Sequence, residues 1–218
     1  MPDNKNRTRI MIVEDHPVFR LGMRELINQE HDLFVCGDAE DITSAWKKIE
    51  SLVPDMVIVD ISLKGRNGIE LIKSITKNYK DMPVLVLSMH DEALYAERSF
   101  QAGAKGYIMK QSASESIVKA IRCVIKGKTY ASEALMETIL NKFTSHPQTF
   151  DKSPIDILAN RELEVLHMIG DGFATKEIAE KLNLSVKTIS TYRERIKEKL
   201  NLKNASELMR YAVSRVKK

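Results

Sequence analysis

The sequence predicts an α/β domain, a doubly wound five-stranded parallel sheet, followed by a smaller all-α domain of four helices. Three observations carry this expectation. Over residues 9–127 short apolar runs alternate with amphipathic stretches, and strands separated by helical crossovers must pair in parallel. Beyond residue 156 the apolar residues recur only at helical spacing. The charge is also unevenly placed: from Asp151 onward fourteen Lys/Arg face ten Asp/Glu, which accounts for the whole net charge of +4.

A chain of 218 residues is long enough to bury two modest cores. Residues 1–9 are polar and basic and lead straight into a short apolar run, so neither a signal-peptide segment nor a membrane span is expected, and a cytoplasmic location is. The two cysteines, Cys36 and Cys123, lie far apart in apolar neighbourhoods and read as buried thiols rather than a disulfide. The five histidines show no ligand spacing.

Residues 10–13 read as the first strand, ending on Glu14-Asp15, and an amphipathic stretch with Val18, Leu21, Leu26 and Ile27 follows. A second strand starts at 33–35, and Asp41 is placed to cap a helix carrying Ala45, Trp46 and Ile49. The run 56–59 is apolar throughout, as a strand covered on both faces should be, and it ends on Asp60 before a loop closing at Gly68. A helix with Ile69, Leu71, Ile72 and Ile75 comes next. The fourth strand, 84–87, ends on Ser88, and the helix 92–102 stops at Gly103. The fifth, 107–109, ends on Lys110, with a last helix over 114–126.

Each of Glu14, Asp15, Asp60, Ser88 and Lys110 terminates a strand, so the fold would gather all five at the carboxyl edge of the sheet, where open α/β sheets bind ligands. An oxygen-only acidic set without His or Cys suits Mg²⁺. A carboxylate beside that ion can attack a phosphoryl group, with Lys110 supplying a cation and Ser88 a hydroxyl for the transferred oxygens. A phosphatase acting through the same aspartate would want a second acid two residues on, where Ser62 stands.

Residues 9–127 resemble the receiver domain of a two-component response regulator. The matching features are Glu14-Asp15, Asp60, the Asn67-Gly68 turn, Ser88, and residues 102–107 leading to Lys110. The resemblance implies that a histidine kinase phosphorylates Asp60. It also implies that Asp15, Asp60 and the Ser62 carbonyl bind Mg²⁺, with Glu14 in the same acidic set, and that Ser88 and Tyr107 move as a switch pair. Ser62 and His90 occupy positions that influence how fast the phosphoryl group is lost. Lys64 and Gln111 stand where many receivers carry Pro.

Residues 128–155 read as a linker: a helix over 132–143 with Ala134, Leu135, Ile139, Leu140 and Phe143, expected to dock on its own domain, then a polar tether, 144–149. In the last domain, 156–218, helical patterns cover 161–169 and 176–182; the turn Asn183-Leu184 leads to Ser185, an N-cap for a helix running to about Leu200. Asn204 with Glu207 starts a fourth helix carrying Leu208, Ala212 and Val216. At about 100° per residue, Ile189, Arg193, Ile196 and Leu200 share the core side of the third helix, with Lys187, Ser190, Thr191, Glu194 and Glu198 opposite. Cations and hydroxyls near its N-terminal end suit phosphates and base edges in a major groove.

Residues 158–213 resemble a LuxR-type helix-turn-helix, through Arg161-Glu162, residues 176–179, residues 184–189, Lys199-Leu200 and Glu207-Leu208. The whole chain is thus similar to the NarL/FixJ response regulators. That likeness implies base contacts from Ser190, Thr191 and Glu194, phosphate contacts from Lys187, Thr188, Tyr192 and Arg195, and homodimers through the last helix on inverted repeats of DNA. Ala159 and Ala174 stand where the family usually has a Ser/Thr cap, so Asn160 and Thr175 are expected to cap one residue later.

Overall fold

The computed structural model describes residues 7–63, 67–89, 92–137 and 154–216, apart from the side chains of residues 93, 94, 156 and 216. Lys64, His90, the linker helix beyond residue 137 and the polar tether lie outside the described residues. The chain divides into two compact units, Met1–Ser145 and His146–Lys218.

Five strands, β1 (Thr8–Val13), β2 (Leu33–Ala39), β3 (Met56–Asp60), β4 (Val84–Ser88) and β5 (Gly106–Met109), form one sheet in the order β2-β1-β3-β4-β5. Every pairing is parallel. The strands alternate with α1 (Pro17–Asn28), α2 (Ile42–Leu52), α3 (Gly68–Asn78), α4 (Glu92–Gln101) and α5 (Ala113–Ile125), the expected doubly wound arrangement. Ile10, Ile12, Ile58, Leu85, Leu87 and Ile108 share one buried cluster with Met23 and Ile27 of α1 and Ile117, Ile121 and Val124 of α5. The alternate strand residues Met11, Val13, Val57, Val59, Val84 and Val86 are equally buried, because α2, α3 and α4 cover the other face. Asp41 caps α2 as expected, accepting the Ser44 N–H at 2.9 Å.

The phase of α1 differs from the expectation. Met23 and Ile27 are buried and Phe19 packs against the same cluster, whereas Val18 is 83% and Leu21 61% exposed. Positions 19, 23 and 27 lie four apart and share one stripe; 18 and 21 fall on the other side. The cysteines also depart: both are free but only half-buried, Cys36 donating to the Ile10 carbonyl at 3.4 Å. After α5, Tyr130 pairs with the outer edge of β5, its carbonyl accepting the Tyr107 N–H at 2.9 Å and its N–H donating to Lys105 at 3.0 Å. A helical turn over 133–137 follows, with Leu135 buried.

The second unit opens with a 3₁₀ turn, Pro154–Ile157, and continues through α6 (Asn160–Gly170), α7 (Thr175–Lys181), α8 (Val186–Leu200) and α9 (Ala205–Val216). The turn between α7 and α8 is made by Asn183, whose φ of +54° is a left-handed conformation that asparagine tolerates. Ser185 caps α8, accepting the Thr188 N–H at 3.0 Å, and Asn204 accepts the Glu207 N–H at 2.9 Å at the start of α9. The N-cap positions of α6 and α7 fall one residue before the expected Asn160 and Thr175, which are the first helical residues. Ala159 and Ala174 hold those positions, and since alanine offers no oxygen, only half of each capping box exists: Glu162 accepts the Ala159 N–H at 2.8 Å and Glu177 the Ala174 N–H at 2.7 Å.

Glu162 has a second task. Its carboxylate is buried and lies 2.6 Å from Lys199 Nζ, joining the first turn of α6 to the last turn of α8. Glu162→Ala should therefore remove both a cap and a tie, destabilising the C-terminal unit by about 1–3 kcal/mol, with Glu162→Gln retaining the cap and costing less. Urea unfolding followed in the full chain measures both.

Candidate functional site

In the observed strand order the connections diverge between β1 and β3, and Glu14-Asp15 and Asp60 end those two strands. The parallel register pairs Asp60 with Leu87, one residue before Ser88, and Ser88 with Met109, one residue before Lys110. Glu14, Asp60 and Ser88 are fully buried and Asp15 and Lys110 nearly so. All five sequence-predicted residues thus stand at one edge. Tyr107, in β5, is also fully buried, with its ring already inside the fold.

The Asp60 carboxylate is held on both sides: Oδ1 accepts the Ser62 N–H at 3.1 Å and Oδ2 the Lys110 ammonium at 2.9 Å. Lys110 Nζ also lies 2.6 Å from Glu14 Oε2. Arg20 of α1 donates to the Glu14 carbonyl at 2.5 Å and pairs with Asp38 at 3.0 Å, which fixes the chain where it leaves β1. On the other flank, α3 runs so close to Asp60 that a Cβ at Gly68 would stand 2.1 Å from the Asp60 carbonyl oxygen, so only glycine fits there. Asn67 begins that helix, its side chain accepting the Ile69 N–H at 2.9 Å.

Carboxylate oxygens of Glu14, Asp15 and Asp60 and a ring nitrogen of His16 lie within 4.8 Å of one another. The sequence spacing did not point to His16. It caps the approach to α1, with Nδ1 3.0 Å from Glu14 and 2.8 Å from Asp15, and its side chain is largely exposed. Burial pushes the Asp60 carboxyl up to about 6, with Lys110 opposing and Glu14 adding to the rise. For Lys110, burial favours the neutral form, but Asp60 and Glu14 outweigh it and hold the ammonium charged.

On the second unit, α8 places its residues as the helical spacing requires. Ile189 and Ile196 are buried, Arg193 and Leu200 partly so, and Lys187, Ser190, Thr191, Glu194, Arg195 and Glu198 are exposed. Lys187, Thr188, Thr191, Tyr192 and Arg195 line one hollow of about 290 Å³ with Ser185, expected from the sequence only as the cap of this helix. Ser190 and Glu194 do not line it; they occupy the neighbouring stripe. Ser190 and Thr191 donate to the carbonyls of Val186 and Lys187, each at 3.0 Å, which leaves their oxygen lone pairs outward.

The family model of the response regulator receiver domain matches residues 10–122, and that of the bacterial regulatory proteins of the luxR family matches residues 156–212. The chain belongs to the LuxR-family two-component response regulators. It is 37% identical over 212 residues to the oxygen regulatory protein NreC of Staphylococcus epidermidis, covering 95% of this chain and 97% of that relative. RcsB of Salmonella enterica serovar Typhimurium, solved bound to a promoter in the presence of phosphomimetic BeF3⁻, matches with a TM-score of 0.58 and 29% identity over 95% of this chain and all of that one. A structure of two RcsB dimers bound to two parallel DNAs matches with a TM-score of 0.57, 29% identity and coverage of 96% and 99%.

This response regulator is a phosphorylation-controlled DNA-binding transcription regulator and not an enzyme. Receiver domains bind Mg²⁺ at an acidic pocket, and the buried Glu14, Asp15 and Asp60 form such a cluster. Among the described residues, no helix is long and apolar enough to cross a membrane.

The raised Asp60 value fixes a sign. Between the ordinary carboxylate range and about 6, the folded chain holds a proton that the unfolded chain has released, so metal-free stability should fall as the pH rises through that window. The ceiling is on the order of 3 kcal/mol. At pH 7 without divalent ions, Asp60→Asn should melt roughly 2–8 °C higher than the wild type, and the gap should close below about pH 4. Calorimetry across that pH range gives the answer; a lower melting temperature for the variant at pH 7 would refute the assignment.

Proposed function

We propose that Asp60 is the phosphoacceptor of this regulator and that its phosphorylation favours a homodimer that binds DNA through α8. The observation that carries the reading is the Asp60 carboxylate itself, buried at the divergence of the sheet between an ammonium and a backbone N–H. A histidine kinase is the donor: an Asp60 oxygen forms the new O–P bond as the P–N bond to the kinase histidine breaks. The exposed Val18 and Leu21 of α1, just after His16, offer an apolar surface for that donor to cover.

The donor set fits Mg²⁺: among the described residues three buried carboxylates outnumber one ammonium, and all three are hard oxygen ligands. Asp15 and Asp60, with the Ser62 carbonyl, would hold the ion, and Glu14 stays paired with Lys110. Bound there, Mg²⁺ supplies positive charge for the transferring phosphoryl oxygens. Lys110 stabilises the same oxygens from the opposite strand, Ser88 donates its hydroxyl to one of them, and Tyr107 responds to that movement from β5.

In the second unit, Lys187, Thr188, Tyr192 and Arg195 hold phosphates, and Ser190, Thr191 and Glu194 face base edges. A two-fold dimer formed through α9, with one α8 from each copy on the DNA, reads an inverted repeat. We assign the receiver to residues 9–127, the linker to 128–155 and the DNA-binding domain to 156–218, and place the protein in the cytoplasm. RcsB has been solved on a promoter in the presence of a phosphomimetic and as dimers on DNA, which agrees with joining these features in one protein here.

The test is DNA binding by the full chain and by Asp60→Ala, each with and without acetyl phosphate and Mg²⁺. The donor should tighten wild-type binding by about 5- to 150-fold and leave the variant unchanged; equal binding in all four samples would end the phosphorylation reading. Independently, Lys187→Ala and Arg195→Ala should each weaken binding to all sequences and lower the slope of log K against log salt by about one. An unchanged slope in both would remove them from the phosphate contacts.

A further inference from the structure

We propose that Phe19 is a positioning residue for phosphoryl transfer: the face of its ring holds the Lys110 ammonium against Asp60 and Glu14. This rests on Asp60 being the phosphoacceptor. Lys110 Nζ lies 4.9 Å from the centroid of the Phe19 ring, inside the roughly 6 Å reach of a cation–π contact. The same nitrogen is 2.9 Å from Asp60 Oδ2 and 2.6 Å from Glu14 Oε2. Its side chain is only 5% exposed, so solvent contributes little to holding it.

A lysine brings three N–H donors on a flexible four-carbon stem, and two carboxylates alone leave it a side on which to swing away. The ring closes that side. A third carboxylate would do so too, but it would add negative charge to a cluster in which carboxylates already outnumber the ammonium, and it would engage a donor. An aromatic face attracts the cation without using an N–H, so Lys110 keeps its donors for the oxygens of the incoming group. Phe19 is suited to the task because it is itself fixed: it lies in the first turn of α1 and packs against the cluster shared by the sheet, α1 and α5.

The reaction that reads this out is transfer from acetyl phosphate, in which the Asp60 O–P bond forms, the P–O bond of the donor breaks and acetate leaves with the electron pair. We would place mono-, di- and trifluorinated phenylalanine at position 19 of the full chain, which drains the negative face of the ring in steps at nearly constant size, alongside Phe19→Leu and Phe19→Trp. Two quantities are followed: the NMR shifts of the Lys110 ε-methylene protons in metal-free protein, and the rate of Asp60 phosphorylation with Mg²⁺. The melting temperature reports folding.

Lys110 should be shifted upfield by the ring in the wild type and lose that shift in Phe19→Leu. The rate should fall stepwise with fluorination, by about threefold to tenfold in all, and Trp should preserve it. A Lys110 shift that is the same in wild type and Phe19→Leu overturns the inference alone. So does a rate indifferent to fluorination in variants that melt normally. A wild type that acetyl phosphate does not modify at Asp60 overturns the phosphoacceptor reading as well, while the Lys110 shift still reports whether the contact exists.

Discussion

Three carboxylates from two adjacent strands, Glu14, Asp15 and Asp60, are buried within reach of one another and, among the described residues, with one ammonium, Lys110. At an effective dielectric constant near 20, two unit charges 4.8 Å apart repel by on the order of 3 kcal/mol, so the cluster is under-neutralised by more than the strength of an ordinary hydrogen bond. Burial is the main reason that the Asp60 carboxyl rises to about 6, and the nearby Glu14 adds to that rise against the pull of Lys110. A site with this balance favours whatever brings positive charge to it, and the sheet, α1 and α3 together prevent it from relaxing by letting water in.

The fold creates this imbalance by topology. Parallel strands deliver all their carboxyl ends to one edge, and the order β2-β1-β3-β4-β5 sets the acids of β1 and β3 side by side with the cation two strands away on β5. Lys110 reaches back across β4 to pair with Asp60 and Glu14, while Gly68 allows α3 to close over the Asp60 backbone from the other side. The backbone that leads away from this unit is hydrogen-bonded to the same β5: Tyr130 pairs with Lys105 and Tyr107.

Much of this was legible in the sequence because strand ends are. A residue that follows a short, largely buried apolar run has one place to be, and that rule alone places Asp60, Ser88 and Lys110 at the sheet edge. Helix phase is weaker information where apolar residues stand on more than one side. In α1, Val18 and Leu21 compete with Phe19, Met23 and Ile27 for the core, and packing against the sheet and α5 decides; Val18 and Leu21 are left in solvent and the winning stripe brings Phe19 against Lys110. His16 escaped notice because its partners, Glu14 and Asp15, are its immediate neighbours, a spacing that carries no ligand signal. The pairing of Glu162 with Lys199 was beyond reach for the opposite reason. Both residues contributed to the family likeness, but nothing local links positions 37 apart.

In the function proposed here both units meet phosphate, and burial separates what each could do with it. At the sheet edge a phosphoryl group on Asp60 would enter a place where Glu14, Asp60 and Lys110 are almost wholly withdrawn from water, so it would be accepted only with near-complete neutralisation. That requirement makes the event discrete and able to bias a two-state protein. On α8 the hollow lined by Lys187, Thr188, Tyr192 and Arg195 stays open to solvent, so each contact contributes little, is screened by salt and adds to the next. Affinity there grows with the number of contacts made at once, and a second copy of the helix doubles that number without altering any of them. A switch that works by pairing two copies therefore needs no change inside α8 at all; the buried site has only to alter how often two chains meet.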